Sequence, residues 1–480
     1  MKNKDLRQIK KVFLFLPVII LFVALLFINC GREKINRKTQ IILISVDTLR
    51  GDHLSSYGYS RDTSPHLSKL IEDAVYYKQA YPNGCWTMPS HMTMLTGTLP
   101  SRHGINRAWQ ANQDKKYAQL NPAIKMIPEI LQSFNIKTKK FAMLPRPLGF
   151  SRGYDTDFGG DPFEKDKLFN KLLKELEKSK DEDFFMFIHT WMVHAPYSNS
   201  YYLEEGKISR EKRDAIDNFR SGRIAGKQFA EFRTFLKENN LYNIEDCLTL
   251  YDSGIRYVDR KIGEIIEKTK QLGMYDNLMF IVTSDHGEHF AEHDPKQFYG
   301  YHGKDYYEEY IIVPIIIKYP EGSKKGKPKV IDRPVSLVDL VPTILDYYKI
   351  KSPAFIQGES LLKSRPGGKY LISEAISLPG IERKMIRVGD LKYIITMDNP
   401  DKPGRVNWDA VSARRLFDLK QDPLEKNDLY KNLKYRQICI DFEKMLRKII
   451  KASVSKKFAS GETKIDTETI DHLKALGYLE

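Results

Sequence analysis

Two unbroken apolar runs, each closing on an acid, constrain this chain most. Ile41–Asp47 reads IILISVD and Leu278–Asp285 reads LMFIVTSD. A third run, Phe184–His189 (FFMFIH), closes on an imidazole. A strand with one wet face alternates apolar and polar residues, whereas unbroken apolar strands suit a parallel sheet covered on both faces. Phe141–Leu144 and Ile311–Lys318 are further candidate strands, and Pro314 in the latter marks an edge or a bulge. Between the strands, residue spacing predicts helices over Leu67–Tyr77, started by Ser64-Pro65, and over residues 127–134, 166–179, 248–272 and 339–348. This alternation implies an α/β fold, a doubly wound and mainly parallel sheet. Ligands of such sheets bind beyond the carboxyl ends of the strands. Asp47, Asp285 with His286, and His189 with nearby His194 all fall there. Acids in that position cost solvation free energy unless a cation or ligand uses them.

The segment Trp86-Thr87-Met88-Pro89-Ser90-His91 reads as a helix start. A helix N-terminus attracts anions through its N–H groups and dipole. A Thr there is either an N-cap or a nucleophile facing a bound anion. Asp47, Asp285 and His286 turn the balance toward the nucleophile. Two carboxylates and one imidazole suit Mn²⁺, Zn²⁺ or Mg²⁺ better than the many-carboxylate cage of Ca²⁺. A single divalent ion held by them would take the Thr87 oxygen as a further ligand and favour its alkoxide. The β-branch of Thr87 stiffens χ1 and holds that oxygen in place.

With these motifs in order, the chain resembles the sulfatase family of the alkaline phosphatase superfamily. The opening motif is Ser45-Val46-Asp47-Thr48-Leu49-Arg50-Gly51-Asp52, and the nucleophile motif is Thr87-Met88-Pro89-Ser90-His91 with Leu95-Thr96-Gly97. His194-Ala195-Pro196-Tyr197, Thr283-Ser284-Asp285-His286-Gly287-Glu288, His302-Gly303-Lys304 and Asp339-Leu340-Val341-Pro342-Thr343 follow, preceded by Asp259 and Gly263 on one helix. The resemblance runs from about residue 40 to the carboxyl terminus and implies an alkaline phosphatase-like fold. It also implies metal ligands Asp47, Thr87, Asp285 and His286, and catalytic Thr87, His194 and His302. Substrate contacts would come from His91, His194, His302 and Lys304.

The departures bear on the chemistry. Classical members carry a Cys or Ser, converted to formylglycine, where this chain has Thr87; Cys85 lies two residues too early. His91 replaces an Arg, and Thr48 replaces a second acid. The resulting set resembles those of phosphonate monoester hydrolases and of lipoteichoic-acid synthase-like enzymes, which use a Thr nucleophile. It implies cleavage of anionic esters, with phosphate mono- or diesters favoured. A sulfuric ester hydrolase working without formylglycine is the runner-up, and an inactive binding protein on the same fold is a third reading.

Composition narrows the rest. Four scattered cysteines in 480 residues exclude a disulfide scaffold. Of the formal charge of +15, residues 1–38 hold +7, and no basic stripe with interleaved aromatics stands out, so no nucleic-acid partner is expected. Five basic residues precede the apolar run Val12–Ile28, the layout of a signal peptide or membrane anchor over residues 1–29. Cys30 directly after it resembles a lipobox; the alternative is an uncleaved helix spanning a bilayer. Both readings give a membrane-anchored, extracytoplasmic enzyme, periplasmic or at the cell surface. Residues 30–39 form a linker and 40–350 a catalytic domain, in which 198–247 is an insertion or lid. Residues 351–480 form a C-terminal subdomain with a small antiparallel sheet (Tyr370–Ser373, Met385–Val388, Lys392–Thr396, Arg415–Leu419) and a helix over 434–453. His53, His66, His293 and His472 read as structural, His189 as facing the core, Cys85 as a small buried residue, Asp52 as structural, and Glu288 and His289 as supporting partners.

Overall fold

A computed structural model describes residues 38–464, except 107–115, 160–165, 204–207, 220–224, 323–327, 364–369, 376–379, 399–405 and 455–457. The expected signal or anchor, nearly all of the linker with Cys30, and the tail bearing His472 lie outside the described residues. No helix among the described residues is long and apolar enough to cross a membrane.

The apolar runs become the centre of a nine-stranded sheet. Its strands are β1 (Gln40–Val46), β2 (Val75–Tyr81), β4 (Lys137–Phe141), β5 (Thr156–Asp157), β6 (Phe184–Thr190), β7 (Leu278–Ser284), β8 (Val313–Lys318), β9 (Lys329–Ile331) and β10 (Val335–Ser336). Their order is β10-β2-β8-β7-β1-β6-β4-β5, with β9 also pairing β2. Every pairing is parallel except those of β8, which runs antiparallel to both β2 and β7. Along β1, Ile41 and Leu43 join the apolar cluster on one face, while Ile42 and Ile44 join the cluster on the other. Both faces are covered, which is why β1, β6 and β7 show no polar alternation.

Three local expectations are corrected. The predicted helix over Leu67–Tyr77 ends early: Pro65–Leu70 is helical, one 3₁₀ turn follows, and Val75–Tyr81 is β2. β-Branched and aromatic side chains at 75–77 suit the pleated sheet, and cross-strand pairing with β8 outweighs the helical spacing. The Ser64 side chain does not cap that helix; Asp259, from the helix Ile244–Gln271, accepts the N–H groups of His66 and Leu67 at 3.0 and 2.8 Å. Finally, β4 precedes the predicted Phe141–Leu144. Its lysines hid it, yet Lys139 is neutralised by Glu175 and Glu182, and Lys140 by Asp157. Pro314 lies in an interior strand, where the β2–β8 register slips between Tyr77 and Ala80, so the bulge is realised and the edge is not.

A second sheet, antiparallel, has the order β11 (Leu371–Ser373), β12 (Ile381–Val388), β13 (Leu391–Asp398) and β14 (Val411–Asp418), all within the expected C-terminal subdomain. The helix Arg436–Ser453 packs Phe442, Leu446 and Ile450 against it. A two-stranded ribbon pairs β3 (Lys116–Gln119) with β15 (Gly461–Lys464). Thr39–Glu480 form one compact unit.

Candidate active site

Parallel neighbours in register deliver their carboxyl ends to one place. β1 pairs with β7 through Val46↔Ser284, and with β6 through Val46↔Thr190. Asp47 and Asp285, the next residues on β1 and β7, therefore leave the sheet side by side. The chain then turns sharply, with Thr48 at φ +59°, a left-handed conformation that costs a non-glycine residue about 1 kcal/mol or more. The turn aims Thr48 N–H at Asp285 Oδ1, 3.3 Å away, while Thr48 C=O accepts from Tyr251 Oη. Leu49 N–H donates to Ser284 Oγ, which ties the two strand ends together.

The nucleophile segment forms the helix Thr87–Thr96, capped by Trp86 and ended by Gly97 in the left-handed region. Thr87 is its first residue, not its cap. Its hydroxyl faces the strand ends, with Oγ1 3.4 Å from Asp47 Oδ2 and 3.3 Å from His286 Nε2. His286 donates Nδ1–H to Gly287 C=O at 2.9 Å. That bond sets the tautomer and turns the Nε2 lone pair toward Asp47 Oδ1 at 3.6 Å and Asp285 Oδ2 at 3.5 Å. Asp47, Thr87, Asp285 and His286 are all completely buried. Asp47 Oδ1 and Asp285 Oδ2 accept no hydrogen bond from the described residues. Burial and the adjacent Asp285 carboxylate push the Asp47 carboxyl well above the usual range. Burial opposes ionisation of Asp285 too, but His286 and His91 outweigh it and hold its pKa low. Two unsatisfied buried oxygens, an imidazole lone pair and a hydroxyl that converge fit a divalent cation. Asp47, Asp285, His286 and Thr87 would hold it.

The other expected residues divide. His302 donates Nδ1–H to Glu288 Oε1 at 3.1 Å, and its ring centroid lies 4.8 Å from those of both His286 and His194. His194 donates Nδ1–H to Ala195 C=O. Both histidines therefore flank the cation cluster. Lys304 does not join it: its ammonium lies 4.1 Å over the Tyr301 ring. His91 supports the nucleophile segment. Its Nδ1–H donates to Thr87 C=O, one helical turn back, and Ser45 Oγ–H donates to its Nε2, both at 2.9 Å. Burial and neighbouring His189 hold His91 neutral, with its pKa lowered to about 3. A neutral, fully bonded ring cannot supply the positive charge of the Arg it replaces.

His189 is the residue that sequence reasoning misplaced. It faces the site, with Nε2 3.1 Å from Asp47 Oδ2 and its ring 4.3 Å from that of His91. Its position at the carboxyl end of β6 carried the same signal as Asp47 and Asp285. Asp52 is structural as expected, paired with Arg50 at 2.7 Å. Cys85 is buried, and burial raises its thiol pKa further. Gly287 has no room for a side chain, because a Cβ there would lie 2.0 Å from Glu309 O.

Comparison with known proteins places this site in a family. The sulfatase family model matches residues 39–350. An N-acetylglucosamine-6-O-sulfatase from Bacteroides thetaiotaomicron is 23% identical, over 88% of this chain and 88% of the relative. An ulvan-active sulfatase from Formosa agariphila is 22% identical, over 82% and 77%. Among solved structures, a protein with its substrate D-glucosamine-2-N,6-O-disulfate superposes with a TM-score of 0.65 at 18% identity, over 87% of this chain and 98% of the other. A phosphonate monoester hydrolase from Agrobacterium radiobacter superposes with a TM-score of 0.64 at 15% identity, over 89% and 100%. These likenesses to solved structures share the fold, and the matched segment contains every residue of the site just described, so the chain belongs to the sulfatase family of ester hydrolases.

Proposed function

We propose that Thr87 is the nucleophile of a metal-dependent hydrolase or transferase acting on phosphate mono- or diesters. One observation carries this reading: the Thr87 hydroxyl, at the positive end of the helix 87–96, lies 3.4 Å from Asp47 Oδ2 and 3.3 Å from His286 Nε2, two members of the cluster of Asp47, Asp285 and His286. A divalent cation (Mn²⁺, Zn²⁺ or Mg²⁺) bound there supplies Lewis-acid charge neutralisation and lowers the pKa of oxygen ligands. The protein's own groups supply the rest. Thr87 Oγ1–H donates to Asp47 Oδ2, which takes its proton as Oγ1 forms a bond to phosphorus. The phosphorus–oxygen bond to the leaving group breaks, and His302, held by Glu288, protonates that alcohol. The helix N-terminus and His194 face the anionic oxygens. Water or an acceptor alcohol then displaces Thr87 from phosphorus and regenerates its hydroxyl.

Sulfuric ester hydrolysis is the second reading, favoured by the sulfatase activities for which the relatives are named. Against it stands chemistry: a sulfo-threonine lacks the aldehyde-hydrate route that releases sulfate from formylglycine. Parallel assays with aryl phosphodiester, aryl phosphate and aryl sulfate separate the two. Phosphoester turnover lost by about 10⁴-fold or more in Thr87→Ala is expected. Sulfate turnover without phosphate turnover overturns the proposal. We further propose that residues 1–29 export and anchor the enzyme outside the cytoplasm; membrane fractionation of the full chain and of a chain lacking those residues tests it.

A further inference from the structure

A second cluster lies beyond the site, where the segment after His286 returns to the start of β8. Glu309 Oε1 meets two imidazole nitrogens at once, His289 Nδ1 at 3.0 Å and His293 Nδ1 at 2.9 Å. Glu292 Oε2 lies 3.1 Å from the same His289 nitrogen, but it accepts the Phe290 N–H, and Glu292 Oε1 pairs with Arg50. Both rings are held in plane by stacking, His289 on Tyr310 with 7° between planes and His293 on Tyr307 with 9°. His289 and Glu309 are buried, and His293 Nε2 is enclosed without a hydrogen-bond partner. Glu292, His293 and Glu309 line a cavity of about 810 Å³, which gives an entry path.

We propose that His289, His293 and Glu309 form a second divalent-cation site of the Zn²⁺ class, with the fourth position open to the cavity. Zn²⁺ bonds of about 2.0–2.1 Å in tetrahedral geometry leave ligand atoms about 3.3 Å apart. Glu309 Oε1 lies 3.0 and 2.9 Å from the two imidazole nitrogens, and all three donor atoms lie within 4.8 Å of one another, so modest shifts reach that spacing. Two imidazoles and one carboxylate match the metal in softness and charge. The alternative is a purely hydrogen-bonded cluster. In that case Glu309 Oε1 accepts both Nδ1–H groups, and the His289 proton is shared with Glu292. A cation would clip the segment 287–309 at both ends. That segment carries Glu288 and His302, so the site would hold the substrate-facing loop against β8.

The inference does not rest on Thr87 chemistry, and its test removes the first site. One sample of the full chain with Asp47→Asn and Asp285→Asn is dialysed against Zn²⁺, and a second, metal-free sample is titrated with Co²⁺. One equivalent per chain is expected, with the intense visible absorption of four-coordinate Co²⁺. Adding His293→Gln or His289→Gln should weaken binding by about 100-fold. No retained metal at micromolar Zn²⁺, or Co²⁺ binding unchanged by both substitutions, overturns the proposal. The protein with both histidines intact gives a second readout, should the His variants fail to fold. Zn²⁺ should slow amide hydrogen exchange within 287–309, and no protection there overturns the proposal equally.

Discussion

Asp47→Asn should stabilise the metal-free protein while abolishing its response to metal. In the absence of a cation, Asp47 is a completely buried carboxyl beside a second one, and Oδ1 accepts no hydrogen bond. Burial and Asp285 raise its pKa above the value of 3.8 that it has when exposed. A carboxyl shifted upward favours the folded state only while protonated, so its contribution is complete below pH 3.8 and is lost as pH rises through the folded value. At neutral pH the native carboxyl therefore costs stability that an amide does not. An unsatisfied buried polar group costs about 1–3 kcal/mol. Unfolding entropy near 2.1 cal/mol/K per residue gives about 1 kcal/mol/K for 480 residues. Asp47→Asn should then raise Tm by about 1–3 °C in chelator at pH 7.5. Metal at a hundred times its Kd adds about 2.7 kcal/mol, or about 3 °C, to the parent protein. The variant, without an anionic oxygen, should gain under about 1 °C. Scanning calorimetry with and without Mn²⁺ reads both. A lower Tm in chelator, or a full metal-induced shift in the variant, would refute the placement of Asp47 in a cation site.

Three further outcomes are expected. His189→Gln should lower metal affinity by about 10- to 100-fold with little change in Tm, because it removes the ring beside Asp47 Oδ2; isothermal titration checks this, and unchanged affinity makes His189 a packing residue. Gly287→Ala should destabilise by more than about 2 kcal/mol, because its Cβ would strike the Glu309 carbonyl; chemical denaturation reads the loss. For Glu443, burial opposes ionisation, but hydrogen bonds from Arg414, Arg447 and Tyr393 prevail and hold its pKa at about 2 against 4.5 when exposed. Its contribution is present above pH 4.5 and is lost as pH falls through about 2. Glu443→Gln should thus cost about 1–2 kcal/mol at pH 7, with the gap closing in acid; urea midpoints from pH 7 to 3 follow it.

Much of the fold was legible because local periodicity reports burial. β1, β6 and β7 had to be apolar on every residue to lie inside a doubly covered sheet, and that pattern needs no knowledge of neighbours. The acids that end β1 and β7 were conspicuous for the same reason. β4 escaped because its lysines are neutralised by Glu175, Glu182 and Asp157, which are distant in sequence. The helix at Leu67–Tyr77 was overextended because β2 exists only through its pairing with β8.

The chain alone therefore determined which strands end in ionisable groups and which hydroxyl opens a helix. Only the tertiary structure decided where those groups point. Parallel register brings Asp47, His189 and Asp285 to the carboxyl ends of three neighbouring strands, and a left-handed turn at Thr48 puts its N–H on Asp285 Oδ1. His91 became a support because Ser45, one strand away, occupies its second nitrogen. The cluster of His289, His293 and Glu309 forms only when the segment after His286 folds back to β8. Such contacts depend on three-dimensional closure, and the free energy of closing a loop leaves no mark in residue spacing.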